Sequence, residues 1–171
     1  MTNLFLIRPR GMNIGNDVIN IALKSYIDSY IGGGVNIIDL PATNKYESDN
    51  HAGLTARTIH EMNQYGHGVI VGGGNLYENG ELDVDAEALS KLEVPLMLFS
   101  LSRGRIYSRR GRLVPRTDTL ADSTIYALEQ KASVSLPRDE ATAQHLRNLG
   151  FPESEVGGCP TIFLNRVEGQ L

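Results

Sequence analysis

Four short stretches hold most of the chemistry that this chain can offer. In "MNIGNDVINIAL" (residues 12–23), Asn13, Gly15, Asn16 and Asp17 crowd one turn just ahead of an apolar pattern with helical spacing. A helix N-terminus presents unpaired N–H groups and the positive end of its dipole, so a glycine turn there suits an anion. Asp17 then reads as a proton-transfer group or a sugar-hydroxyl ligand, since a carboxylate repels a phosphate. Simple capping of the helix by Asn16 or Asp17 is the competing reading.

The second stretch is "VIVGGGNLYENG" (69–80). Gly72, Gly73 and Gly74, followed by Asn75, let backbone approach a ligand closely and permit positive φ. The run is neither a Walker loop nor G-x-G-x-x-G, and a flexible turn is its alternative. The third, "SRGRIYSRRGRLVPR" (102–116), holds Arg103, Arg105, Arg109, Arg110, Arg112 and Arg116, half of the chain's twelve arginines, with no carboxylate among them. The planar guanidinium suits bidentate binding of phosphate or carboxylate, so an anion or an acidic partner is expected there, although a solvated loop accounts for most of the six. In the fourth, "SLPRDEAT" (135–142), Arg138 stands between a strand and a capped helix, placed to reach a crevice or merely to lie beside the Asp139 cap.

Other combinations are excluded. His51, His60, His67 and His145 have no metal spacing with Cys159, and no serine or cysteine sits in a nucleophile elbow. Neither metal nor covalent catalysis is expected. "DVD" (83–85) reads as acidic residues serving a helix start.

The elements that must position these groups follow from periodicity. "NLFLI" (3–7), "VNIID" (35–39), "GVIVG" (68–72), "PLMLFS" (95–100), "ASVSL" (132–136) and "TIFL" (161–164) read as short strands buried on both faces. Between them lie helical patterns: a first stripe of Ile19, Leu23, Tyr26, Ile27 and Tyr30, then 52–65, 85–93, 119–131 and 139–150. In the last, Asp139 caps the start, Gly150 ends the helix and Pro152 follows. This alternation predicts an α/β fold: a doubly wound, Rossmann-like, mainly parallel sheet, in which the loops after the strands converge on one edge.

At 171 residues the chain suits one domain, 1–171. A net charge of −4 argues against a nucleic-acid partner. The lone Cys159, with no membrane span and no secretory signal, predicts a cytoplasmic protein.

Taken in order, "NIGNDVI", "VIVGGGNLYENG", "SVSLPRDEATAQHLRNLG" and "GCPTIFL" resemble the polysaccharide pyruvyl transferase family. The resemblance spans nearly the whole chain, but only the family's first lobe, and the second lobe is expected to begin after "NRVEGQL". Asn16 is inserted in the family's glycine-aspartate step, Thr142 stands where serine is frequent, and the arginine loop replaces a glycine-rich stretch. The resemblance implies one lobe of a GT-B-like two-lobed transferase that moves pyruvyl from phosphoenolpyruvate to a sugar hydroxyl of a glycan. It implies no cofactor beyond phosphoenolpyruvate as donor substrate, Asp17 as catalytic residue, and Asn13, Gly15, Asn16, Gly72, Gly73, Gly74, Asn75, Arg103 and Arg138 as substrate contacts. A second lobe, a subunit or a homo-oligomer would complete the site. Two alternatives stand beside it: a nucleotide-sugar-binding glycosyltransferase-like domain, and a non-catalytic binding or assembly module whose arginine loop docks a partner.

Overall fold

Phe5, Leu6 and Ile7 are buried in succession, which a strand covered on both faces permits. They belong to an interior strand of a computed structural model that describes residues 1–11, 13–46 and 51–164. The strands are β1 (Thr2–Arg8), β2 (Val35–Pro41), β3 (Gly68–Gly74), β4 (Leu96–Leu101), β5 (Arg105–Tyr107), β6 (Leu113–Pro115) and β7 (Val134–Leu136). The helices are α1 (Ile14–Ile31), α2 (Ala56–Tyr65), α3 (Ala86–Ser90), α4 (Asp122–Lys131) and α5 (Glu140–Asn148). Five strands form a parallel sheet in the order β2-β1-β3-β4-β7, and β5 and β6 pair separately as an antiparallel hairpin. The expected doubly wound α/β architecture is therefore present.

Alternation along the strands sorts the core onto two faces. Phe5, Ile7, Val69, Val71, Leu96 and Leu98 pack with apolar residues of α2 to α5. Leu6 points the other way, against Ile19 and Leu23 of α1, with Cys159 closing the cluster. From β1 the chain first winds outward to β2, then crosses to β3 on the opposite side. That reversal opens a crevice beyond the carboxyl ends of β1 and β3, the usual ligand position in such sheets.

Several local expectations need correction. "TIFL" is no strand: Pro160–Phe163 form a 3-10 helix with Cys159 before it. Pro160 lacks the N–H that a ladder needs, and its fixed φ suits a first helical turn. The segment docks on α1, where Tyr26 Oη donates to Pro160 O at 3.1 Å. Tyr30 is 86% exposed, so the α1 stripe ends at Ile27. The helix expected from residue 52 starts at Ala56, because Leu54 bridges Val84 and Thr58 Oγ1 accepts the Thr55 N–H at 3.0 Å. The helices expected at 85–93 and 119–131 are shorter, Ala86–Ser90 and Asp122–Lys131. Asp85 caps the first of these by accepting from Ala88 N at 3.0 Å, which gives "DVD" its helix-start role. Asp139 caps α5, and Gly150, at φ +107, follows its end as expected.

Candidate functional site

The crevice at the β1–β3 reversal is a cleft of about 680 Å³. Asn13 and Asn16 line it from α1, Asn75 and Glu78 from the segment after β3, Arg10 from beyond β1 and Arg116 from beyond β6. Asn13 is the N-cap of α1, its Oδ1 accepting from Gly15 N at 3.0 Å, so the helix's positive end opens toward the cleft. Asn75 Oδ1 accepts from Ser102 Oγ at 3.0 Å, which leaves its NH2 as a donor for a ligand. Tyr46 also lines the cleft, held by its hydroxyl to Glu81 Oε1 at 2.6 Å.

The triple glycine has a different task from the one its composition suggests. Gly72, Gly73 and Gly74 belong to β3 itself and are buried. A Cβ on Gly72 would come 2.5 Å from Leu23 Cδ1, and one on Gly73 would overlap Ile19 Cγ2. Both glycines admit α1 against the sheet, which gives them a packing role. The expected positive φ is present at Gly73 (+74°) and Gly74 (+91°). Gly74 alone reaches the cleft wall, where a Cβ would lie 3.2 Å from Asn16 Oδ1 and 3.5 Å from Pro9 Cγ. The glycines thus place the α1 N-terminus, and with it the asparagines, over the strand ends.

A buried carboxylate that sequence reading missed organises the opposite wall. Glu78 is 2% exposed, accepts from Gly104 N at 2.6 Å and lies 2.8 Å from Arg116 Nε. Arg116 also forks onto Asp118, whose carboxyl it holds below the usual carboxylate range. The residues just before β5 and just after β6 are therefore both tied to Glu78, so the arginine-rich stretch is a hairpin stapled at its base rather than a loop. The sequence signal was present in "YENG": an Asn-Gly turn, with φ +55° and +61°, returns the chain directly after a carboxylate.

The remaining expected site residues fall outside the cleft lining. Asp17 stands one residue past Asn16, is 62% exposed, and pairs with Arg8 at 3.7 Å; Arg8 in turn lies 3.8 Å from Asp39, which pairs with Lys24. Arg103 and Arg138 come together on neighbouring loops after β4 and β7. Arg103 N donates to Thr142 Oγ1 at 3.0 Å and Arg138 N donates to Leu101 O at 2.9 Å. Asp139 Oδ1 accepts from both Thr142 N and Thr142 Oγ1 at 2.9 Å. The aspartate and the hydroxyl three residues later thus cap α5 and pin the β4 loop to it.

Away from the cleft, Tyr77 Oη donates to Glu129 Oε1 at 2.9 Å inside the core. Burial pushes both groups up from their ordinary values. Among the described residues no group of three or more His, Cys, Asp or Glu could hold a metal ion. No described helix is long and apolar enough to cross a membrane.

No curated protein and no solved structure matches the chain. The family model for polysaccharide pyruvyl transferase matches residues 13–170, from the α1 cap through the glycine strand and the α5 capping motif to the far end of the chain. With nearly its whole length under that model, the chain belongs to the polysaccharide pyruvyl transferase family.

Proposed function

We propose that the chain takes pyruvyl from phosphoenolpyruvate and sets it on a sugar of a glycan, as one lobe of a GT-B-like enzyme. The observation that carries this reading is the cleft at the β1–β3 reversal. There two guanidinium groups, Arg10 and Arg116, share the lining with four asparagines and the N-terminus of an 18-residue helix. That set suits a donor with both phosphate and carboxylate. The carboxylates already present have partners of their own: Glu78 holds Arg116 and Gly104 N, while Glu81 takes Tyr46, Asn79 and Lys45.

In the reaction, a sugar hydroxyl oxygen bonds to the enol carbon and gives up its proton to the proton carrier, while the methylene carbon takes a proton from it and becomes methyl. A second hydroxyl of the same sugar then bonds to that carbon as its C–O(P) bond breaks. Inorganic phosphate leaves with the bonding pair, and the second hydroxyl proton goes to base. Asp17, open to solvent beside Asn16, is the proposed proton carrier, with Arg8 to balance its charge. Arg103 and Arg138, on the neighbouring loops after β4 and β7, are the proposed contacts for the acceptor. A completing lobe or subunit is supported by Ile14, Val18 and Ile21, an exposed apolar row at helical spacing that starts beside the cleft.

The test is phosphate release from phosphoenolpyruvate with and without glycan acceptors. Acceptor-dependent release that Asp17→Asn abolishes supports the reading. Binding of a uridine or guanosine diphosphate with no phosphoenolpyruvate chemistry would replace it by a nucleotide-sugar enzyme.

A further inference from the structure

We propose that the β5–β6 hairpin is a binding arm for carboxylate-bearing glycan, holding the polymer as it gathers charge. The proposal rests on the pyruvyl-transfer reading for its occupant, because each ketal leaves one carboxylate on a formerly neutral sugar.

Pairing across the hairpin sets what it displays. Arg105 lies opposite Pro115 and Tyr107 opposite Leu113, so these four share one face, while Ile106 and Val114 share the other. All four residues of the first face are exposed, Tyr107 at 76%. Beyond them the tip carries Arg109, Arg110 and Arg112, also exposed, turned by Gly111 at φ +70°. Among the described residues none of these four arginines takes part in a salt bridge, in contrast to Arg116 at the base. An acidic chain, at −4 overall, thus concentrates four exposed arginines on one hairpin with an exposed tyrosine. Guanidinium forks match carboxylates bidentately, and an amphipathic ring offers a face to a sugar.

Position argues for glycan over other anions. The hairpin is no free arm: Glu78 grips both its stems, and Arg116, next after β6, lines the cleft. The hairpin therefore starts at the cleft's edge and carries Arg105, Tyr107 and then the three tip arginines away from it over about 10 Å of strand.

The test measures binding of the whole chain to polygalacturonate oligomers, which carry one carboxylate per ring. Neutral dextran, phosphatidylglycerol vesicles and a poly-glutamate peptide serve as comparisons. Wild type should prefer polygalacturonate, and the preference should vanish when salt rises from about 0.1 M to about 1 M, where the Debye length shrinks to about 3 Å. Changing Arg105, Arg109, Arg110 and Arg112 together to Ser should weaken binding roughly tenfold or more, since four exposed charge pairs are lost. Tyr107→Ala should weaken the glycan but not the peptide. Full binding by the four-serine variant would overturn the proposal, as would hairpin-dependent binding that favours vesicles or peptide. The assay needs neither phosphoenolpyruvate nor turnover, so its result is separate from that of pyruvyl transfer.

Discussion

Substituting Gly73 by alanine tests what the glycine run is for. Gly73 sits at φ +74°, where a Cβ meets the backbone and costs about 1–2 kcal/mol. The added methyl also overlaps Ile19 Cγ2 and stands 3.4 Å from Ile19 Cβ, in a fully buried strand end. Overpacking of that kind costs about 1–3 kcal/mol. Together Gly73→Ala should lose about 2–5 kcal/mol, a large part of the ~5–15 kcal/mol that holds a domain together. Urea unfolding should show a lower midpoint with an unchanged slope. Ile19→Ala alone should also destabilise, by about 2–5 kcal/mol. In the double variant the overlap is gone and only the φ strain remains, so the two losses should fall short of additive by about 1–3 kcal/mol. Full stability of Gly73→Ala, or strict additivity, would refute the packing account and return the glycines to a role in ligand approach.

The Glu129 carboxyl gives a pH prediction. Its folded value is raised by burial above 4.5, so the native state holds this proton more tightly than the unfolded chain. Its contribution is present below pH 4.5 and is lost as pH rises through the folded value. Glu129→Gln, which keeps an acceptor for Tyr77 Oη, should show a stability advantage over wild type that grows across that window; a constant difference would contradict it. Thr142→Val should cost about 1–3 kcal/mol in thermal unfolding by stranding the Arg103 N–H, while Thr142→Ser should cost far less. Glu78→Ala should loosen the hairpin base, speeding hydrogen exchange at Gly104 by at least roughly tenfold; unchanged exchange would show that the staple is idle.

The fold was legible because its strands are buried on both faces and announce themselves as apolar runs such as "NLFLI" and "GVIVG". The α5 cap was legible too, since Asp139 and Gly150 act through purely local geometry. "TIFL" misled because composition favoured a strand while the preceding proline favoured a helical turn. The site was legible only in part. Asn13, Asn16 and Asn75 meet across the cleft because each follows a strand end or caps a helix, which the pattern of elements encodes. Glu78 and Arg116 lie 38 residues apart and pair only through the folding of the hairpin, so the Asn-Gly turn after Glu78 reports the bend but not the partner. Positive φ in the glycine run was legible from composition, whereas the neighbours that Gly72 and Gly73 make room for, Leu23 and Ile19, are a tertiary fact.

The central claim is that the donor sits in the cleft between the ends of β1 and β3. Calorimetric titration of phosphoenolpyruvate into the wild type, Arg10→Gln and Arg138→Ala tests it most directly. Saturable binding that weakens roughly tenfold in Arg10→Gln, as for one lost charge-assisted contact, and holds in Arg138→Ala is the predicted result. Binding that survives Arg10→Gln and is lost in Arg138→Ala would move the donor to the β4 and β7 loops and contradict the account.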